Sequence, residues 1–191
     1  MNVDKIEAGF RLVLEGLGLD PNSPRLKDTP RRTALAWTEE LCAGLGDEPL
    51  EFELFPVEEG YRAGLISLDR IPVKSLCAHH LLPFVGLAVV AYVPNGVFCG
   101  LSKLSRAVNH FARRPQMQEH LTHQVAEFLD KRLQPAGLGV AIQATHYCME
   151  FRGVNHSGLM TTSSLQGSLR DDPVLREEFF RLWQAPGARA G

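Results

Sequence analysis

Cysteine is scarce in this chain: four in 191 residues, at positions 42, 77, 99 and 148. That is too few and too scattered for a disulfide framework, and thiols in a reducing compartment are candidate metal ligands instead. Net charge is almost absent as well. Lys and Arg number 20 against 22 Asp and Glu, a formal charge of −2, which argues against a nucleic-acid coat. No apolar run approaches the roughly 20 residues of a membrane-spanning helix. The opening MNVDKIEAGF lacks the basic and then apolar segment of a secretion signal. A cytoplasmic protein with no nucleic-acid and no membrane partner is expected. Internal repeats and low-complexity segments are missing too. What is present is ordinary: 45% apolar and 22% charged residues, in a chain long enough to bury roughly 70% of its unfolded surface without disulfides or a structural metal. Any metal site must therefore be argued from chemistry.

Residues 4–18 place Ile6, Phe10, Val13, Leu14 and Leu17 at helical spacing before Gly18 and the DPNSP stop. A second helix is expected from Asp28 or Thr29, with Pro30 at its first position and Ala34, Trp37, Thr38 and Leu41 on one face until Gly44 and Gly46. With an aperiodic connection over 46–60, these helices predict an N-terminal helical appendage and linker, residues 1–60. Residues 61–191 read as the main domain. It opens on an irregular strand around 66–73, interrupted by Pro72. A hairpin is expected from 86–93 through Pro94-Asn95-Gly96 to 97–101. Helices over 103–113 and 116–133 meet at Pro115. A strand of about ten residues then runs to Cys148, followed by a Thr- and Ser-rich last strand and a closing helix over 173–183. Strands, two helices and strands again define an α+β domain with an antiparallel sheet.

The sharpest local feature is Cys77-Ala78-His79-His80. Cys-x-x-His lets one turn chelate a single zinc through a thiolate and an imidazole, both suited to this borderline-soft ion. A second pair, His146 and Cys148, lies two residues apart, which on a strand puts both on one face. Cys77, His80 and Cys148 make a three-ligand set with an open fourth position, the arrangement of a catalytic zinc. His79 and His146 are then left beside the metal for proton transfer, imidazole being the side chain that in its unperturbed form changes charge near working pH. Cys42 and Cys99 have no matching partner and read as packing residues.

A second constellation suits an anion. Lys103 and Arg106 stand at the start of the helix after the hairpin, where unpaired N–H groups and the positive dipole end face outward. Arg152, four residues past Cys148, adds a cation near the metal. Glu119 is the one acid in the basic run from Lys103. Its carboxylate either accepts two N–H donors from an amino-substituted heterocycle or pairs with Arg113 or Arg114.

The segments Cys77-Ala78-His79-His80-Leu81-Leu82-Pro83-Phe84, Gly100-Leu101-Ser102-Lys103, Phe111 to Glu119, and His146-Tyr147-Cys148 with Arg152-Gly153 resemble GTP cyclohydrolase I. The likeness is collinear from about Asp28 to about Phe180. It implies a tunnelling fold, in which an antiparallel sheet carries two helices on one face, assembled as a toroidal homodecamer with active sites between subunits. It also implies hydrolysis of GTP at C8 of guanine, formate release and rearrangement to 7,8-dihydroneopterin triphosphate, where folate and pterin synthesis begin. Carried onto this sequence, the resemblance makes Cys77, His80 and Cys148 zinc ligands, His146 the acid at the guanine imidazole ring and His79 a second proton carrier. Glu119 with Gln118 would anchor the guanine edge, and Ser102 would stand near the ribose. Lys103, Arg106 and Arg152 would clamp the triphosphate, joined by Arg32 from a neighbouring subunit. Ala78 replaces the Glu usual in this family, and Leu35 stands where a lysine is common. These two departures motivate the alternative of a paralogue acting on a related purine or releasing a ring-opened intermediate. A non-catalytic zinc-stabilised assembly protein is the alternative from a different class.

Overall fold

The computed structural model describes residues 1–46, 50–61 and 64–184. Residues 47–49 of the expected linker, and 62–63 and 185–191 of the expected main domain, lie outside them. The chain divides into two compact units, Met1–Glu48 and Pro49–Gly191.

In the first unit, Asn2 caps α1 (Val3–Gly16) by accepting the Lys5 N–H at 2.9 Å. Phe10 meets Trp37 edge to face at 5.4 Å, and Arg31 bridges Asp4 and Glu7 at 3.0 and 3.2 Å. The second expected helix is wound in two ways. It begins as α2 (Thr29–Leu35) and continues as a π-helix over Ala36–Leu41. The Thr38 hydroxyl binds the Ala34 carbonyl at 3.0 Å and the Leu35 carbonyl at 3.2 Å. The Cys42 N–H reaches back five residues to Trp37. A side chain inserted into the helical ladder is a common cause of such loosening.

The second unit is mixed α+β. Its main sheet has the order β5-β2-β3-β6-β7 and combines β2 (Ile66–Cys77), β3 (Pro83–Val93), β5 (Pro115–Gln116), β6 (Gly137–His146) and β7 (Leu159–Gly167). All neighbours are antiparallel except the short parallel bridge from β2 to β5. The irregularity expected in β2 falls between Leu68 and Ile71, where the register shifts and Arg70 takes φ 53°. Pro72 is tolerated because β2 meets β5 only at Leu76 and Cys77, so nothing requires an N–H from Pro72 on that side.

The expected hairpin from β3 is not formed. After the Asn95-Gly96 turn, β4 (Val97–Cys99) pairs instead with β1 (Leu54–Pro56) in a separate two-stranded sheet. Both edges of β3 are already filled, by β2 and by an unbroken register with β6 from Phe84–His146 to Val93–Gly137. No ladder position is left for a third strand.

Two helices, α3 (Leu101–Ala112) and α4 (Gln118–Leu133), supply Leu104, Val108, Leu121, Val125 and Leu129 to one apolar core with Val73, Phe84, Val90, Val140 and Ile142 of the sheet. Leu169 of α6 (Ser168–Asp171) and Phe179 of α7 (Pro173–Gln184) cover Val89, Ala91 and Ala141 elsewhere. Among the described residues no helix is long and apolar enough to cross a membrane.

Gly86 of β3 lies tight against β6. A Cβ there would overlap the Gln143 carbonyl oxygen and the Ala144 backbone, neither of which is a flexible side-chain tip. Gly86→Ala is therefore expected to destabilise the protein by at least about 3 kcal/mol, at the upper end of overpacking costs. The shift of the denaturant midpoint checks this.

Candidate active site

The Cys-x-x-His motif occupies the turn that joins β2 to β3. Cys77 ends β2 and its N–H donates to the Leu82 carbonyl at 2.8 Å, while its own carbonyl accepts from Leu81 at 2.8 Å and from His80 at 3.3 Å. Leu81 closes the reversal at φ 54°, a left-handed conformation that costs a non-glycine residue about 1–2 kcal/mol. The turn folds His80 back on Cys77, leaving Nδ1 3.9 Å from Sγ.

The third donor arrives by a different geometry from the one the spacing suggests. The β6 strand stops at His146, and Cys148 lies on the helical turn α5 (Tyr147–Glu150). Both neighbours of β6 end there: the register with β3 closes at Phe84–His146 and that with β7 at Thr145–Leu159. His146 and Cys148 thus do not share a strand face. The turn nonetheless brings Cys148 to the other two donors, and the ligand atoms of Cys77, His80 and Cys148 all lie within 4.8 Å of one another.

This set could hold a metal ion. Burial pushes the Cys148 thiol up, the adjacent Cys77 thiol pushes it further, and nearby Arg152 acts in the opposite sense. Two neighbouring thiols with an imidazole are a donor set in which a divalent cation would favour thiolate. Arg152 sits 2.7 Å from Nε2 of His80. A guanidinium only donates, so Nε2 accepts, and the ring proton lies on Nδ1, facing Cys77. A neutral imidazole has one lone pair, so this contact and a metal bond at His80 exclude each other.

Cys77, His79, His80, Glu119, His146 and Cys148 line one cavity of about 260 Å³. The exposed His79 ring stands edge-on to His80 at 6.3 Å. His146 is held flat against the buried Phe84 ring, with centroids 4.6 Å apart and planes 7° apart. Burial pulls its pKa below the usual histidine value, and the charge of Glu119 partly offsets this. Glu119 occupies the first turn of α4. Among the described residues it forms no ion pair with Arg113 or Arg114. Arg114 instead lies over the Phe111 ring at 4.9 Å.

Gln118, expected to meet guanine beside Glu119, lines the same cavity. It is 1% exposed, and its amide is used inside the protein, on His146, Ile142, Met160 and Thr162. Ser102, Lys103 and Arg106 lie along the first turns of α3, and none of them lines this cavity. Arg32, in the first unit, lies 3.7 Å from Asp28. Sequence reasoning missed Phe84, Thr122 and Thr162, which surround His146 and its partner; the run of Thr and Ser in β7 was the available signal.

Two thiols and an imidazole that could hold a metal ion, beside a second, anchored imidazole on an α+β scaffold, suit hydrolytic chemistry. Comparison with known proteins narrows that class. The model of the family GTP cyclohydrolase I matches residues 6–184. The GTP cyclohydrolase 1 of Hydrogenobaculum sp. (strain Y04AAS1) is 45% identical over 180 residues, covering 94% of this chain and 96% of that relative. Those of Aquifex aeolicus (strain VF5) and Desulforamulus reducens are 46% and 43% identical, covering 94% and 95% of this chain and 95% and 97% of their own. A solved archaeosine synthase QueF-like structure matches 52% of this chain and 92% of its own at 16% identity and a TM-score of 0.43. The chain belongs to the GTP cyclohydrolase I family and is an enzyme.

Proposed function

We propose that this enzyme hydrolyses the guanine imidazole ring of GTP at C8, releases formate and yields 7,8-dihydroneopterin triphosphate, with zinc held by Cys77, His80 and Cys148. The observation that carries this reading is the convergence of those three donors beside His146 and Glu119 in one cavity. Zinc bound there supplies the Lewis acidity that makes water a nucleophile near neutral pH. His146 donates a proton to the guanine imidazole ring as water adds at C8, and His79 carries a proton as the ring opens. Glu119 accepts the N–H groups of the guanine edge. Arg152, once His80's lone pair is taken by the metal, is available to phosphate.

Ser102 stands near the ribose, Lys103 and Arg106 join Arg152 on the triphosphate, and Arg32 joins them from a neighbouring copy in a homodecamer with active sites between subunits. Exposed Val85 and Leu87 on β3 and Phe151 after α5 offer apolar surface for such copies. The tunnelling fold and a cytoplasmic location belong to the same reading. Protein loaded with zinc and protein stripped by a chelator, each incubated with GTP and then oxidised, test it. Pterin fluorescence is expected from the loaded protein alone, and none from either would refute the proposal.

Base and phosphate recognition should separate. Glu119→Gln is expected to lose about 1.5–3 kcal/mol of preference for guanine over other purines, the contribution of a charged acceptor, read from competing triphosphates. Arg152→Ala and Arg106→Ala should weaken GTP binding and flatten its salt dependence, since ions screen phosphate contacts. Unchanged GTP affinity of Arg152→Ala across a salt series would remove Arg152 from the clamp.

A further inference from the structure

We infer that Gln118 is a positioning residue that fixes which nitrogen of His146 faces the reacting molecule. The directions of the hydrogen bonds around its amide leave one arrangement. Gln118 Nε2 lies among three oxygens, the Ile142 carbonyl at 3.1 Å, the Met160 carbonyl at 3.0 Å and the Thr162 hydroxyl at 3.1 Å. Carbonyls only accept, so the NH₂ end of the amide must point at them and Oε1 must point away. The hydroxyls close the count. Thr122 donates to the Gln118 backbone carbonyl at 2.9 Å, so the 2.7 Å contact between Thr122 and Thr162 takes its proton from Thr162. Thr162 then has only a lone pair to offer Gln118, which agrees with the same orientation.

Oε1 of Gln118 is 2.8 Å from Nε2 of His146. An amide oxygen cannot donate, so Nε2 carries a proton in both the neutral and the cationic ring. The stack on Phe84 holds the ring plane, and Gln118, 1% exposed, has no water-facing alternative. Nδ1 is therefore the ring nitrogen left free of the amide, and turning the ring over would put Cε1 where Nε2 stands and leave Oε1 of Gln118 without a donor. Burying a polar group without its partner is costly enough to maintain such an arrangement. Thr122 and Thr162 act one step further out, by holding the amide.

This inference rests on the assignment of His146 to proton transfer. Gln118→Met, close in shape but without polar atoms, should keep its zinc content and KM for GTP and lose about 10- to 100-fold in kcat, the scale seen when a partner that orients an active-site imidazole is removed. His146→Ala with Gln118→Met should be no slower than His146→Ala alone, because a residue that acts through His146 has nothing left to position. Nitrogen-15 spectra of histidine-labelled wild-type protein, assigned by the signal lost in His146→Ala, should show an N–H at Nε2 and a bare Nδ1 in the neutral ring. That measurement stands even if Gln118→Met does not fold. A raised KM with normal kcat in Gln118→Met, fully additive losses, or the proton on Nδ1 would each overturn the inference. Near-normal turnover in His146→Ala with bound zinc would instead overturn the role of His146 itself.

Discussion

Cys148→Ala is expected to purify without bound metal and to turn over no GTP. The three donors within 4.8 Å of one another are the whole protein contribution to the proposed site, and loss of one leaves a two-ligand remnant that cannot compete with water and buffer for the ion. Replacing partners one shell out typically lowers metal affinity 10- to 100-fold, and a direct ligand should cost more. Turnover should fall to background because the nucleophile goes with the metal. Cys77→Ala and His80→Ala should behave alike. Cys99→Ala is the control: Cys99 is buried beside the Tyr92 hydroxyl, far from any matching donor in sequence, and its loss should leave metal content unchanged. Elemental analysis of the folded variants decides. Full zinc occupancy in Cys148→Ala would make that cysteine a packing residue.

His146→Ala should divide the two properties that Cys148→Ala removes together. His146 bonds Gln118 and stacks on Phe84, while the metal-capable set is complete without it. Zinc should therefore stay at about one per chain, and GTP binding should be largely kept. Turnover should fall by about 10² to 10⁴, the usual contribution of a positioned general acid. Loss of zinc would make His146 a ligand.

The part of the site written in one short segment was legible in the sequence. Cys77 and His80 stand on a single turn, so their spacing alone specifies their proximity. The inclusion of Cys148 was also legible, but its geometry was not. Alternation along 140–148 suggests a strand to the end, whereas β6 stops at His146 because both neighbouring strands run out there. The same competition between edges explains the hairpin: Asn95-Gly96 encodes a turn, but only the completed sheet shows that β3 has no edge left for β4. Its true partner β1 is three exposed residues, too short to show any period. The setting of Gln118 was hidden for a related reason. A glutamine beside a glutamate at a helix start gives no sign of burial, which follows from Ile142, Met160 and Thr162, 24 to 44 residues away along the chain.

The central claim is that this site opens the guanine ring at C8, and GTP labelled with carbon-13 at that atom tests it most directly. With zinc-loaded enzyme the account predicts labelled formate, one for each GTP consumed, and a pterin triphosphate free of label. GTP consumed with the label still in the nucleotide product would contradict it.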